Sequence, residues 1–272
     1  MGKWAKTFYG KEKFGDIGIV VAGTIKKDFQ NKVLKNFDKV ISYEELVYDA
    51  YLARKGNVDY PIAFNIYGAP AMVDALTIMH DGGCRTIIFV GSAYGGFKNI
   101  NIGSVVVPNQ SYHFDGIYHG IRLDKKIAEP DKELKNKVES LFDKNKIKFV
   151  NGRNISVPAV SFQLPHDNEE YKKINPLTVE MELASCLLRA KEIGIRAVGI
   201  LIISDNRSKG IDDEKTTKKK HNVKLDVLKL IIDNINHFKL KPLKGKTFFI
   251  DEYLASIIHD PNDKVNVYRK KR

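Results

Sequence analysis

Two short segments of this 272-residue chain hold carboxylates where chemistry is commonly done. One is Val179-Glu-Met-Glu182, in which Glu180 and Glu182 flank Met181 at the start of a helical pattern. The other is Ser204-Asp205, directly after a strongly apolar run. Carboxylates donate or accept protons in catalysis once their surroundings move the pKa from the ordinary aspartate value of about 3.9. A second set has the donor types that hold an anion: Gly23-Thr-Ile-Lys-Lys27 after the first apolar run, and Gly91-Ser92 after a middle one. Taken singly, each has an ordinary explanation. A glycine after a strand is usually a turn, Ser-Asp there is often a helix cap, and acids in a first helical turn are favoured by the helix dipole.

These groups can act together only if the elements before them end side by side. Strands are expected at 17–22, 59–65, 86–90, 104–108, 157–162 and 197–203, where apolar runs stop at small or polar residues. Helices are expected at 28–37, 70–80, 131–144, 180–193 and 218–237, from apolar residues at helical spacing such as Met72, Val73, Leu76 and Met79. Strands alternating with helices predict a three-layer αβα sandwich. Ligands of open α/β sheets bind beyond the strand ends, which is where Gly23, Ser92 and Asp205 stand. Residues 1–239 are expected to form one domain, with 240–272 as a C-terminal appendage carrying a short helix around 251–259 and a basic tail, Arg269-Lys-Lys-Arg272.

Read in order, these segments resemble the nucleoside phosphorylase family of purine nucleoside, uridine and methylthioadenosine phosphorylases and related nucleosidases. The resemblance runs roughly from Asp16 to His237, and Val-Glu-Met-Glu182 paired with Ile202-Ile-Ser-Asp-Asn206 is its most specific part. Val90-Gly-Ser-Ala-Tyr-Gly95 with Ile102-Gly-Ser-Val-Val-Val-Pro108, Gly68-Ala-Pro-Ala71 and Val20-Val-Ala-Gly23 complete it. It implies a phosphorylase/hydrolase-like fold with a mixed central sheet. It also implies cleavage of a purine nucleoside at the sugar–base bond, with phosphate as co-substrate and neither metal nor organic cofactor. Glu182 would then grip the ribose hydroxyls and stabilise the cationic sugar, with Met181 packed on the ribose. Asp205, oriented by Ser204, would protonate the departing purine. Phe162, Ala93 and Tyr94 would hold the base. Uridine-cleaving relatives carry a Gln-x-Arg pair, and here Gln163 is followed by Leu164 and Pro165.

The anion site departs from the family. Lys27 stands for the arginine of the first loop, Phe89 for a second, and neither Glu45 nor Leu46 can supply the third. Lysine offers a point charge where arginine offers a two-pronged grip. Gly23, Ser92 and Lys27, with Lys26 beside it, are the remaining candidate phosphate ligands; Arg54, Arg207 or the appendage are substitutes. The nucleosidases of the family place a glutamate in the first loop, and this loop has lysines. Phosphorolysis with a weakened phosphate site is the expectation, with hydrolysis and catalytically weak nucleoside binding as the alternatives.

The remaining composition narrows the field. Cys84 and Cys186 lack zinc-site spacing and read as small buried hydrophobes. No stretch is apolar enough for a membrane span and the first residues lack a signal-peptide core, so a cytoplasmic protein is expected. The net charge of +12 is concentrated partly in Lys215–Lys224, read as a solvated lysine-rich surface, with no signature of a specific nucleic-acid binder. Tyr43, Leu46, Val47, Tyr48, Tyr51 and Leu52 form a dense cluster in sequence, and a homo-oligomer (trimer, hexamer or dimer) is expected.

Overall fold

Burial along the first strand decides the layers. Every residue of β1 (Ile17–Ala22) is buried, and alternate side chains point to opposite faces. Val20 and Ala22 join a core beneath α1 (Lys3–Tyr9), α3 (Gly68–Asp81) and α6 (Leu183–Ile193). Ile19 and Val21 join a second core beneath α2 (Lys27–Leu34), α4 (Lys132–Lys144) and α7 (Glu214–Asp233). The protein is therefore an αβα sandwich, with continuous apolar strands because both faces are covered. The structure, a computed structural model, describes residues 2–43, 47–96, 100–117, 127–162, 169–206 and 214–244.

The sheet is mixed. β1 pairs in parallel with β4 (Val58–Ile66) and β5 (Thr86–Gly95), and β5 pairs in parallel with β10 (Arg196–Asn206). β2 (Lys39–Tyr43) and β3 (Asp49–Lys55) extend the β4 edge as antiparallel strands. On the other side, β10 pairs with β6 (Val105–His113), β6 with β8 (Phe149–Ser156), β8 with β9 (Thr178–Glu180), and β9 with the end of β5. Strands β5, β10, β6, β8 and β9 thus close a ring, and β5 carries both the ring and the open sheet. The short β7 (Ile127–Ala128) pairs with β6, and α5 (Glu169–Ile174) precedes β9.

Most expected elements are present, and the differences have local causes. The strand expected at 157–162 lies earlier, at Phe149–Ser156; Pro158 cannot donate to a ladder, and a 3-10 turn follows at Val160–Phe162. The helix expected from Glu180 begins at Leu183, because residues 178–180 are taken into the sheet as β9. Tyr48, Tyr51 and Leu52 are buried within the chain, Val47 is 56% exposed, and 44–46 lie outside the described residues. Three of the four whose burial is described are therefore core, and they give no surface argument for an oligomer. Cys84 and Cys186 are both buried and unbridged. Of the expected appendage, residues 245–272 lie outside the described residues.

One glycine fixes the β5–β9 junction on which the site is built. A Cβ at Gly96 would stand 2.3 Å from the Pro176 carbonyl oxygen, and backbone cannot rotate out of the way. Its own N–H donates to the Leu177 carbonyl at 2.9 Å. Gly96→Ala is expected to lower stability by about 1–3 kcal/mol, the usual range for overpacking. Urea unfolding measures it, and an unchanged midpoint would mean that the two segments do not approach this closely.

Candidate active site

Glu180 and Glu182 are two residues apart and have different tasks. Glu180 Oε2 accepts from the Glu182 and Leu183 N–H groups at 2.8 and 2.7 Å, capping α6. Its other oxygen accepts from Asn154 Nδ2 at 2.7 Å and from the Ser156 hydroxyl. Glu180 is thereby committed to holding the helix. Glu182 has fewer partners: Oε1 accepts from the Gly68 N–H at 2.7 Å, and Oε2 lies 3.3 Å from the Met181 N–H. Gly68 begins α3 with φ of 80°, a left-handed conformation that favours glycine and aims its N–H at the carboxylate. Glu182 is 5% exposed. Burial, then the neighbouring Glu180 charge, pushes its pKa well above the ordinary carboxylate range.

Asp205 stands where β10 is irregular. The register against β5 shifts between Ile203 and Asp205, and such bulges re-aim side chains at strand ends. The Ser204 hydroxyl donates to Asp205 Oδ1 and lies 3.2 Å from the Ala93 carbonyl oxygen. Burial raises the Asp205 pKa, opposed by the Ser204 hydrogen bond and the Lys220 charge. The Lys220 ammonium in turn donates to the Ser204 carbonyl at 3.4 Å. A half-buried acid whose proton is held to higher pH, backed by a hydroxyl, suits proton donation.

β1 ends at Ala22-Gly23, and Gly91-Ser92 lie inside β5, which the sequence pattern ended at 90 and which continues to Gly95 along β10. Gly23 has φ of 92° and donates its N–H to the Ile66 carbonyl at 2.8 Å. Ser92 is exposed, and its hydroxyl accepts from the Lys224 ammonium at 3.2 Å. The same ammonium donates to the Ala22 carbonyl at 3.3 Å. Lys224 is 3% exposed, the only lysine or arginine in the buried class among the described residues. Burial lowers its pKa to about 8, and the negative charge of Glu182 works the other way.

Lys224 was not singled out by the sequence reading, which placed Lys215–Lys224 on a solvated surface. That expectation fails at this position. The signal was present: Lys224, Val227, Leu228 and Ile231 fall on one helical stripe, and the other three are fully buried core residues. A lysine on that stripe is driven into the sheet with them.

Hydrogen bonds join Ser204 to Asp205 and Ala93, and Lys224 joins Ser92 to Ala22 beside Gly23 while feeling the charge of Glu182. Met181 and Tyr94 share a small core cluster with Ile155, Val157, Tyr171 and Val179 beside them. The fold does not bring Lys27 to these residues. Lys27 donates to the Tyr51 hydroxyl on β3, and this hydrogen bond is the main cause of its raised pKa. The loop before it is pinned by the Ile25 N–H on Asn65 Oδ1 at 2.6 Å and by Gln30 Nε2 on the Ile25 carbonyl at 3.1 Å. Lys27, Lys32, Lys35, Ser42 and Tyr51 instead line an open groove of about 700 Å³ between α2 and the β2–β3 edge. Arg54 is paired with Asp59 at 2.7 Å on the β3–β4 hairpin. Phe162 is 61% exposed on its 3-10 turn. Glu45, Leu46, Gln163 and Arg207 lie outside the described residues.

The same arrangement of chain is found in known proteins. A sequence profile of the phosphorylase superfamily matches residues 46–233. The 5′-methylthioadenosine/S-adenosylhomocysteine nucleosidase of Campylobacter jejuni superposes with a TM-score of 0.69 at 14% identity, over 80% of this chain and 98% of its own. Uridine phosphorylase of Vibrio fischeri gives 0.69 at 18% identity, over 80% and 90%. Purine nucleoside phosphorylase of Toxoplasma gondii gives 0.66 at 18% identity, over 82% and 92%. At such identities the likeness establishes the fold, which nucleosidases and phosphorylases of either base class share.

Proposed function

From the premise that this chain belongs to the phosphorylase superfamily, we propose that it cleaves purine nucleosides with phosphate, giving free base and ribose 1-phosphate. The observation that carries the reading is the pair of carboxylates, buried Glu182 and half-buried Asp205, each with a raised pKa and a different set of partners. Bond breaking between C1′ and N9 sends the electron pair to the base and leaves a cationic sugar. Glu182 grips the ribose hydroxyls and faces that cation, while Asp205 passes its proton to N7 of the base. A phosphate oxygen forms the new bond to C1′. Hydrogen phosphate gives up its own proton to solvent, from which Asp205 is recharged. Met181, Tyr94 and Ala93 border the sugar and base in this reading. Neither metal nor organic cofactor enters it.

Phosphate is favoured over water by the character of the strand ends. Hydrolysis needs a base placed to take a proton from water. In the first loop, residues 23–26 contain no carboxylate or histidine, and Asp28 lies in the first turn of α2. A buried ammonium stands there instead. The purine preference rests on Asp205, which has a use only if the leaving base offers N7. A homo-oligomer is expected from the family alone.

The test is to incubate the protein with inosine, adenosine, methylthioadenosine and uridine, with and without phosphate. Ribose 1-phosphate is followed against free ribose. Phosphate-dependent cleavage of a purine nucleoside is expected. Free ribose at the same rate without phosphate overturns phosphorolysis, and faster turnover of uridine than of every purine nucleoside overturns the base assignment. Tight nucleoside binding with no cleavage at all would make the chain a binding protein.

A further inference from the structure

A buried ammonium needs an explanation, because removing a cation from water costs several kcal/mol unless partners replace the hydration. The partners of Lys224 on the site side are two neutral oxygens, Ser92 Oγ and the Ala22 carbonyl, at 3.2 and 3.3 Å. Ala22 is the last residue of β1, and Ser92 lies just beyond the stretch of β5 that pairs with β1. The apolar stripe of Val227, Leu228 and Ile231 anchors α7 on the sheet and leaves the lysine no route to the bulk solvent. The charged groups facing it are Glu182 at the start of α6, with Lys220 and His221 on its own helix. Glu182 faces Glu180 as well as Lys224. An anion resting on Ser92 would lie on this ammonium and close to the Glu182 carboxylate. Two negative groups would then crowd one sugar carbon, and a cation beside both lowers their repulsion.

We infer that Lys224, held between the Ala22 carbonyl and the Ser92 hydroxyl, binds the attacking anion; this rests on the phosphorolytic reading above. Lysine supplies this charge from the last helix, where neither Lys27, turned to Tyr51, nor Arg54, paired with Asp59, can reach. It acts as a point charge with mobile donors, so the ammonium, the Ser92 hydroxyl and the anion can adjust to one another.

The experiment titrates inorganic phosphate into the full chain by calorimetry, for the natural protein, Lys224→Met and Lys224→Arg. Lys224→Met fills the same space without charge, and its Tm is expected at or above that of the natural protein, which establishes that it folds. Phosphate affinity is expected to fall about 100-fold in Lys224→Met, as for truncation of one partner of a buried charge pair. Lys224→Arg, which keeps the charge, is expected to retain more of it. Unchanged phosphate affinity in a folded Lys224→Met overturns the inference and leaves phosphorolysis standing if cleavage still depends on phosphate. Free ribose formed without phosphate overturns both readings together. Phosphate binding through Lys224 with no nucleoside cleavage removes the proposed function alone.

Discussion

Asp205→Asn is expected to lower kcat about 100-fold while changing KM much less, because the variant keeps the shape and loses the transferable proton. The Ser204 hydroxyl still has an oxygen to donate to, so the bulged end of β10 is retained. The pH dependence gives a second signature. Burial holds the Asp205 proton to higher pH than a free aspartate does. Activity therefore falls as pH rises through that raised pKa, where the acid is lost. In Asp205→Asn this alkaline limb disappears with the rate. Steady-state rates from pH 5 to 10 measure both effects. A variant with near-normal kcat, or one that keeps the alkaline limb, would remove Asp205 from proton transfer.

Glu182→Gln is expected to damage kcat and KM together, lowering kcat/KM about 1000-fold, since it weakens ribose binding and stabilisation of the cationic sugar at once. Stability should move the other way. A carboxylate with a raised pKa in the folded state destabilises that state at pH values above the ordinary carboxylate pKa, where the unfolded chain is ionised. The amide lacks this penalty, and its oxygen still accepts from the Gly68 N–H. Tm at pH 8 is therefore expected to be no lower than that of the natural protein. Burial raises the Glu180 pKa too, but Glu180→Gln also disturbs the hydrogen bonds that its two oxygens accept from the start of α6, Asn154 and Ser156, and should lower Tm. If Glu182→Gln lost stability and kept activity while Glu180→Gln did the reverse, the two roles would be exchanged.

The separation of these glutamates shows how far sequence reading reaches. That at most one of them needs to enter the pocket follows from their flanking Met181, since neighbours two apart cannot share a helical face. Which one does so, the sequence favours by resemblance. The reason lies in β9: once residues 178–180 are drawn into the sheet beside β5 and β8, Glu180 faces Asn154 and Ser156, and Glu182 faces α3. That pairing joins segments far apart in the chain, and no local pattern announces a three-residue strand. The same limit applies to β2, β3 and α1, whose places are set by the edge of β4 and by Asp81, which accepts from the Gly2, Trp4 and Ala5 N–H groups.

The sequence by itself determined the layers, the order of the long strands and helices, and the end of β1 before Gly23; it ended β5 and β10 early, since Ser92 lies inside Thr86–Gly95 and Asp205 inside Arg196–Asn206. Apolar periodicity is a local property, and burial on two faces reads it directly. The tertiary structure alone decided where the cations went. Lys27 lies in the first loop in sequence, yet Asn65 and Gln30 pin that loop so that its ammonium meets Tyr51 on the far side of α2. Lys224 is two hundred residues from that loop in sequence, yet it reaches the carbonyl at the end of β1. Long, flexible lysine side chains take the position that packing of their helix leaves them, and that packing is a property of the whole sheet.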